Sequence, residues 1–308
     1  MALGRSRTWI GAGLLSLGAL GCRSPADSPK EPPPVEESSG PATLPGVDTS
    51  TLTTREQGKW REYVSEFLAP CADTPVNVAQ CVTESRACAT CLPAAKFLVE
   101  RVRRGDSRGQ AEQAFKTRFS PEAVKSIDLS GSPVKGASSP VVTLVEWADY
   151  ECPFCAAVAP VLKEVAERYP EQVQLVFKHY PLSAHEHAEG AARAAVAAHR
   201  QGKFWALSQA LFEGQKEGLD ETKLQKLARD AGLDMKGFDA DRASEATADS
   251  VARDRKQADE LGLEGTPMIY INGRHFGLDH FDIRQDLVPW IELEIALNSA
   301  AAPQAKKN

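Results

Sequence analysis

Apolar positions along the chain change spacing several times, and each change marks an element. From residue 55, Trp60, Tyr63, Phe67 and Leu68 recur at helical intervals, and Cys71 ends the run. Ala94, Phe97, Leu98 and Val102 form a second helical stripe that Gly105 stops. Residues 111–115 and Phe119 form a third, ahead of Pro121. Residues 141–147 are an apolar run of strand length. Helical spacing returns from Pro153 to about residue 169, with Val158, Val161, Leu162 and Val165 facing inward. Pro153 suits a first helical position, where its missing N–H costs nothing, and Pro160 predicts a kink. Residues 173–178 read as another strand and residues 186–261 as a block of helices. Residues 268–271 and 274–276 flank Asn272-Gly273, the signature of a type I′ hairpin. A last helix is expected from about 281 to 298.

The first 54 residues have no such period. An apolar run at residues 9–20 follows Arg5 and Arg7 and is too short to span a bilayer, which makes it an export signal. It ends at Gly21-Cys22, resembling a bacterial lipobox in which Cys22 is lipidated; the alternative is a plain secretory signal with an incidental cysteine. Residues 23–54 hold seven of the chain's 20 prolines among Ser, Glu, Thr and Gly, a composition that reads as a disordered tether with a reach of about 30 Å. The expected organisation is therefore a signal and lipobox over 1–22, a tether over 23–54, a helical four-cysteine module over 55–130 and a further domain over 137–299.

Composition narrows the classes. Of 308 residues, 25% are charged and 42% hydrophobic, which excludes a fully disordered chain and a polytopic membrane protein. With 36 Lys+Arg against 42 Asp+Glu there is no basic excess to meet phosphates, so no nucleic-acid partner is expected. The alanine-rich stretch from residue 191 is interrupted by Arg193 and His199 and reads as tight helix packing.

The seven cysteines carry the chemistry. With Cys22 lipidated, six thiols remain: Cys71, Cys81, Cys88 and Cys91 in the helical module, then Cys152 and Cys155. Two structural disulfides are the favoured reading of the first four, with three connectivities open. A second redox pair at Cys88 and Cys91 is an alternative, since two-residue spacing puts both sulfurs on one helical face. A four-cysteine zinc site is disfavoured by irregular spacing and by the tendency of exported thiols to oxidise. His185-Glu186-His187 lacks further ligands and reads as an exposed helix start, so no metal is expected.

Strand, Cys152-Pro153-Phe154-Cys155, helix, Pro160, and a distal Gly265-Thr266-Pro267 before the hairpin together resemble the thioredoxin-fold oxidoreductases. The inserted helical block is similar to the DsbA-like branch, and the resemblance covers about residues 137–296. It implies an α/β thioredoxin-like fold with a helical insertion, preceded by the small cysteine-containing helical module. Cys152 would sit at a helix N-terminus, where free N–H groups and the dipole favour its thiolate, with Cys155 as the partner that closes the ring. The resemblance also implies a cis-proline loop at Thr266-Pro267 packed on the cysteines, and a buried acid at Glu146 that relays a proton. Lys178-His179-Tyr180-Pro181 looks like a strand end and is given no role.

Phe154 stands where the strongly oxidising archetype has histidine and can carry no charge. Asp149 and Glu151 lie nearby and would raise the Cys152 pKa, so a milder oxidant is expected. The implied function is formation of disulfides in exported proteins with free thiols, without an organic cofactor. By analogy, electrons would leave to a membrane quinone-linked thiol oxidase. The place of work would be extracytoplasmic or periplasmic, with the membrane held through the N-terminal lipid. Competing readings are an isomerase or reductase of the same fold, and a non-catalytic client-binding module.

Overall fold

The computed structural model describes residues 43–71 and 75–301, which belong to one compact unit. The expected export signal, Cys22 and residues 23–42 of the expected tether lie outside the described residues. Residues 43–54 correct the tether's end. Leu44 and Leu52 are buried with Trp60 and Leu98, and Thr53 caps the first helix. Two leucines and Val47 give this stretch the apolar anchors that the preceding proline-rich composition lacks.

Four helices make the N-terminal module: α1 (Thr54–Glu66), α2 (Val78–Thr83), α3 (Cys91–Arg103) and α4 (Arg108–Phe119). Capping boxes start three of them, at Thr53 with Glu56, Asn77 with Gln80, and Ser107 with Gln110. The first stripe ends sooner than its spacing predicts. Phe67 is already extended, and the backbone pairs Ala69 with Val76 and Val78 with Phe67, so Leu68 turns outward, 65% exposed. Disulfides join Cys71 to Cys88 and Cys81 to Cys91. Cys88 and Cys91 are thus each bonded elsewhere and not to one another.

The rest is a five-stranded sheet in the order β1 (Val134–Gly136), β3 (Val173–His179), β2 (Val142–Ala148), β4 (Met268–Ile271), β5 (Arg274–His275). Only β2 and β3 are parallel, joined by α5 (Pro153–Arg168). β1 lies ahead of residue 137 and pairs antiparallel with β3. It is short, and Gly136 is required there because a Cβ would strike the Val173 carbonyl. Asn272 and Gly273 both take positive φ, as the hairpin between β4 and β5 demands.

Helices cover both faces of the sheet, which is why β2 and β3 read as near-continuous apolar runs. On one side Leu144, Leu175 and Ile269 pack against Leu162 of α5 and Ile291 of α11 (Leu287–Ala301). On the other, Trp147 and Tyr270 meet Ala258. The inserted block forms α6 (Ala188–Arg200), α7 (Phe204–Gly214), α8 (Glu221–Asp230), α9 (Met235–Ala243) and α10 (Glu245–Glu260). Asp220, Asp234 and Ser244 cap the last three. The final helix begins at Leu287, not near 281. The Asp282 carboxylate takes the N–H groups of Arg284 and Gln285, and that of Asp286 takes the N–H of Asp282, which holds a turn in place of a helical one. Among the described residues no helix is long and apolar enough to cross a membrane.

Buried charge ties the module to the sheet. Arg118 of α4 meets Glu294 of α11 at 2.6 Å and lies 4.3 Å above the Trp290 ring. The second Glu294 oxygen accepts from Asn272 Nδ2 at 3.0 Å. Burial pulls the Arg118 pKa down to about 10 against the attraction of Glu294. Removing one member leaves the other charge buried and unpaired. Glu294→Ala should therefore cost about 3–5 kcal/mol in chemical unfolding, and Arg118→Met with Glu294→Leu should cost less than that single change.

Candidate active site

Parallel pairing sets Ala148 opposite His179, so β2 and β3 end at one edge of the sheet. The chain leaving β2 turns at once into α5. Cys152 is the N-cap and Pro153 the first helical residue. The Cys152 N–H donates to the Asp149 carbonyl at 3.1 Å, and the Asp149 N–H points at Cys155 Sγ at 3.5 Å. Both thiols are free and buried, Cys155 more deeply. Cys152 Sγ lies 3.4 Å from the Thr266 carbonyl oxygen, and the Thr266–Pro267 peptide is cis. Phe154 stands outward at the mouth, 70% exposed.

The two sulfurs experience opposite electrostatics. Cys152 is brought down to about 5, first by its contact with Cys155 and then by the Thr266 side chain and the N–H groups of Cys155 and Phe154, against the cost of burial. These N–H groups are the unpaired donors of the α5 N-terminus. Burial pushes the Cys155 thiol far above its usual range, with Cys152 and then Glu146 adding to the effect.

Glu146 lies on β2, within the sheet and 1% exposed, with Oε1 unpartnered. Desolvation lifts its carboxyl to about 8. It borders a cavity of about 660 Å³ between α5 and α7, where Pro160, Lys163, Trp205 and Phe212 also contribute. Tyr150 fastens α7 to the cysteine loop: its hydroxyl meets Ser208 Oγ at 3.1 Å and its ring stacks on Phe177.

The acids beside the cysteines depart from expectation. The Asp149 side chain is buried and already engaged: Oδ1 accepts from the Glu151 N–H at 2.7 Å, and Oδ2 from Leu182 N–H at 2.8 Å and His185 Nδ1 at 2.7 Å. The Glu151 carboxylate takes the His187 N–H. His185, read from sequence as an exposed helix start, is partly covered. Asp149 raises its pKa, and the charges of Cys152 and Glu151 add to the rise. The Asp149 carboxylate thus holds a basic ring against the cysteine loop. Nothing in local spacing signals this residue, because its contact depends on β3 ending beside β2. His187 stands at the N-cap position of α6 without a side-chain capping bond, and the His185–His187 pair gathers no shared ligand set among the described residues.

Residues 178–181, given no role from sequence, close the same edge. Lys178 pairs with Asp254 of α10 at 2.9 Å, and the other Asp254 oxygen accepts the His179 N–H. The His179 ring is fully buried, and desolvation lowers it to about 4, keeping it neutral.

Two titrations check this electrostatic arrangement. The ultraviolet thiolate signal of the reduced protein should appear with a midpoint near 5, vanish in Cys152→Ser and move to higher pH in His185→Ala. Glu146 has a folded value above its ordinary 4.5, so its stabilising share is whole below pH 4.5 and is lost as pH rises through about 8. Glu146→Gln should flatten the fall in unfolding free energy across that window and exceed the wild type above it, by on the order of a few kcal/mol.

A family model described as thioredoxin matches residues 128–287. Among curated proteins, the Na(+)/H(+) antiporter NhaA 1 of Mycolicibacterium gilvum is 37% identical over 158 residues, 50% of this chain and 25% of the antiporter. The Na(+)/H(+) antiporter NhaA 3 of Salinispora tropica is 37% identical over 153 residues, 49% and 23% of the two chains. The chain thus spans about a quarter of the length of these relatives. Among solved structures, alpha-DsbA1 of Wolbachia pipientis shares the fold with a TM-score of 0.50 at 18% identity, covering 57% of this chain and 96% of its own. A thioredoxin-like oxidoreductase from Silicibacter pomeroyi is 29% identical, with a TM-score of 0.47 and coverage of 53% and 91%. Matched by the family model over more than half its length, with the cysteine pair and the cis proline inside the match, the chain belongs to the thioredoxin family.

Proposed function

We propose that the protein is an extracytoplasmic thiol–disulfide oxidoreductase that forms disulfides in exported proteins. The observation that carries this reading is the opposed treatment of two sulfurs one helical turn apart: Cys152 as a stable thiolate, Cys155 as a buried thiol. A stabilised thiolate favours the reduced form and makes the disulfide a good oxidant.

In the forward cycle a client thiolate attacks Cys152 Sγ of the oxidised pair. The Cys152–Cys155 bond breaks, and Cys155 leaves with the electron pair and takes a proton, for which Glu146 is the nearby relay. A second client thiolate attacks the client sulfur of the mixed disulfide, forming the client disulfide and releasing Cys152 as its thiolate. Phe154 offers an apolar contact beside Cys152 for an unfolded client. Lipidation at Cys22 would hold the enzyme at a membrane, where a quinone-linked thiol oxidase would reoxidise the pair.

Equilibration in glutathione buffers, with the Cys152–Cys155 pair read at peptide level, tests the direction. A potential of roughly −120 to −200 mV is the expected result, whereas about −270 mV would replace the oxidase with a reductase. Cys152→Ser should abolish oxidation of a reduced client. Phe154→His should raise the potential by about 30 mV for each unit by which it lowers the Cys152 pKa.

A further inference from the structure

The four cysteines of the helical module have no part in this chemistry, and their arrangement exceeds what crosslinking needs. Two disulfides require two close pairs. Instead all four sulfurs lie within 4.8 Å of one another, and across the two bonds Cys71 Sγ is 3.1 Å from Cys81 Sγ and 3.4 Å from Cys91 Sγ. Four sulfurs converging on one point suit a single shared ligand. A tetrahedral zinc ion with thiolates at about 2.3 Å spaces its sulfurs roughly 3.8 Å apart, so small side-chain movements would reach that geometry.

The surroundings favour thiolates and soft-metal binding. Cys91 is the first residue of the 13-residue α3, and Thr90 places no side-chain cap on its N–H groups, so the positive end of the helix meets the cluster. The Thr90 hydroxyl lies 3.2 Å from Cys88 Sγ, in reach to donate to it. Ala69, Val76 and Val82 supply an apolar shell around buried Cys81 and Cys91, while Cys71 and Cys88 remain partly exposed as an entry. Among the described residues no carboxylate or imidazole joins the group. The Cys88–Cys91 interval is itself a zinc-ligand spacing.

We infer that this cluster is a redox-gated metal site: reduced, Cys71, Cys81, Cys88 and Cys91 bind one zinc-class divalent ion as a tetrathiolate, and oxidised, the same sulfurs close as two disulfides. Two dithiol reductants each give one disulfide two electrons and two protons and leave as disulfides themselves, producing four thiols. One zinc ion then displaces four protons and forms four Zn–S bonds. On reoxidation, two disulfide oxidants take four electrons from the thiolates and four protons from solvent, leaving as dithiols; the four Zn–S bonds break, the two protein disulfides form and the ion departs.

The test uses the full chain with Cys22→Ser, Cys152→Ser and Cys155→Ser, so that no other thiol contributes a ligand. Reduced anaerobically with a phosphine and given cobalt(II), it should bind one ion per chain with the charge-transfer and d–d absorption of a tetrahedral thiolate site. One equivalent of zinc should displace the cobalt, and oxidation to two disulfides should release it. Further substitution of Cys81→Ser should remove the tetrahedral spectrum. Should that variant fail to fold, the spectrum of the four-cysteine chain still decides, because it reports ligand type and number directly. A reduced chain that takes up no cobalt, or holds it only in an octahedral water-rich site, would overturn the inference.

Discussion

Everything at the site depends on β2 lying parallel to β3. A parallel pair must be joined by a crossover, and α5 is that crossover, so its N-terminus is delivered to the edge where both strands end. The positive end of a 16-residue helix and the loop after β3 are thereby brought to the same place. Asp149 then links them, with main-chain bonds to the cysteine loop and a carboxylate that holds Leu182 and His185. Lys178 and Asp254 lock the far side of that edge.

Against this frame the site separates charge over a very short distance. Cys152 has the N–H groups of Phe154 and Cys155 beside it, whereas burial penalises the anions of Cys155 and Glu146. One turn of helix is enough, because burial is graded so steeply there. The carboxylates that linear proximity would assign to the thiolate act on other groups. The Asp149 carboxylate is occupied by the Leu182 N–H and His185, and Glu151 is turned to the start of α6.

Features written in short stretches were legible from sequence. Pro153 after Cys152 announces a helix N-terminus, and Asn272-Gly273 announces the hairpin, since both depend on backbone preferences of one or two residues. Features that depend on distant partners were not. Leu44 and Leu52 look like tether residues until α1 and α3 are present to cover them, and β1 is three residues long with no period to detect. The sequence places the start of α11 too early because Phe281 is apolar for a different reason: it fills the space beside Phe97 and Trp290. His185 reads as an exposed helix start for the same cause, its partner Asp149 lying 36 residues earlier in the chain. The asymmetry of the cysteines followed from a motif; its reinforcement from the β3 loop required the fold.

The state of the reduced pair has a consequence for proton stoichiometry. Between pH about 5 and the ordinary thiol range, reduction leaves Cys152 unprotonated and Cys155 protonated, so two electrons arrive with one proton. The potential then falls by about 30 mV per pH unit, half the slope of a client dithiol that takes up two. Under the proposed function, each disulfide handed to such a client would release one net proton to the surroundings. On the same reading, acidification restrains the transfer and alkalinity drives it, which would make the acidity of the compartment a thermodynamic control on how far clients are oxidised.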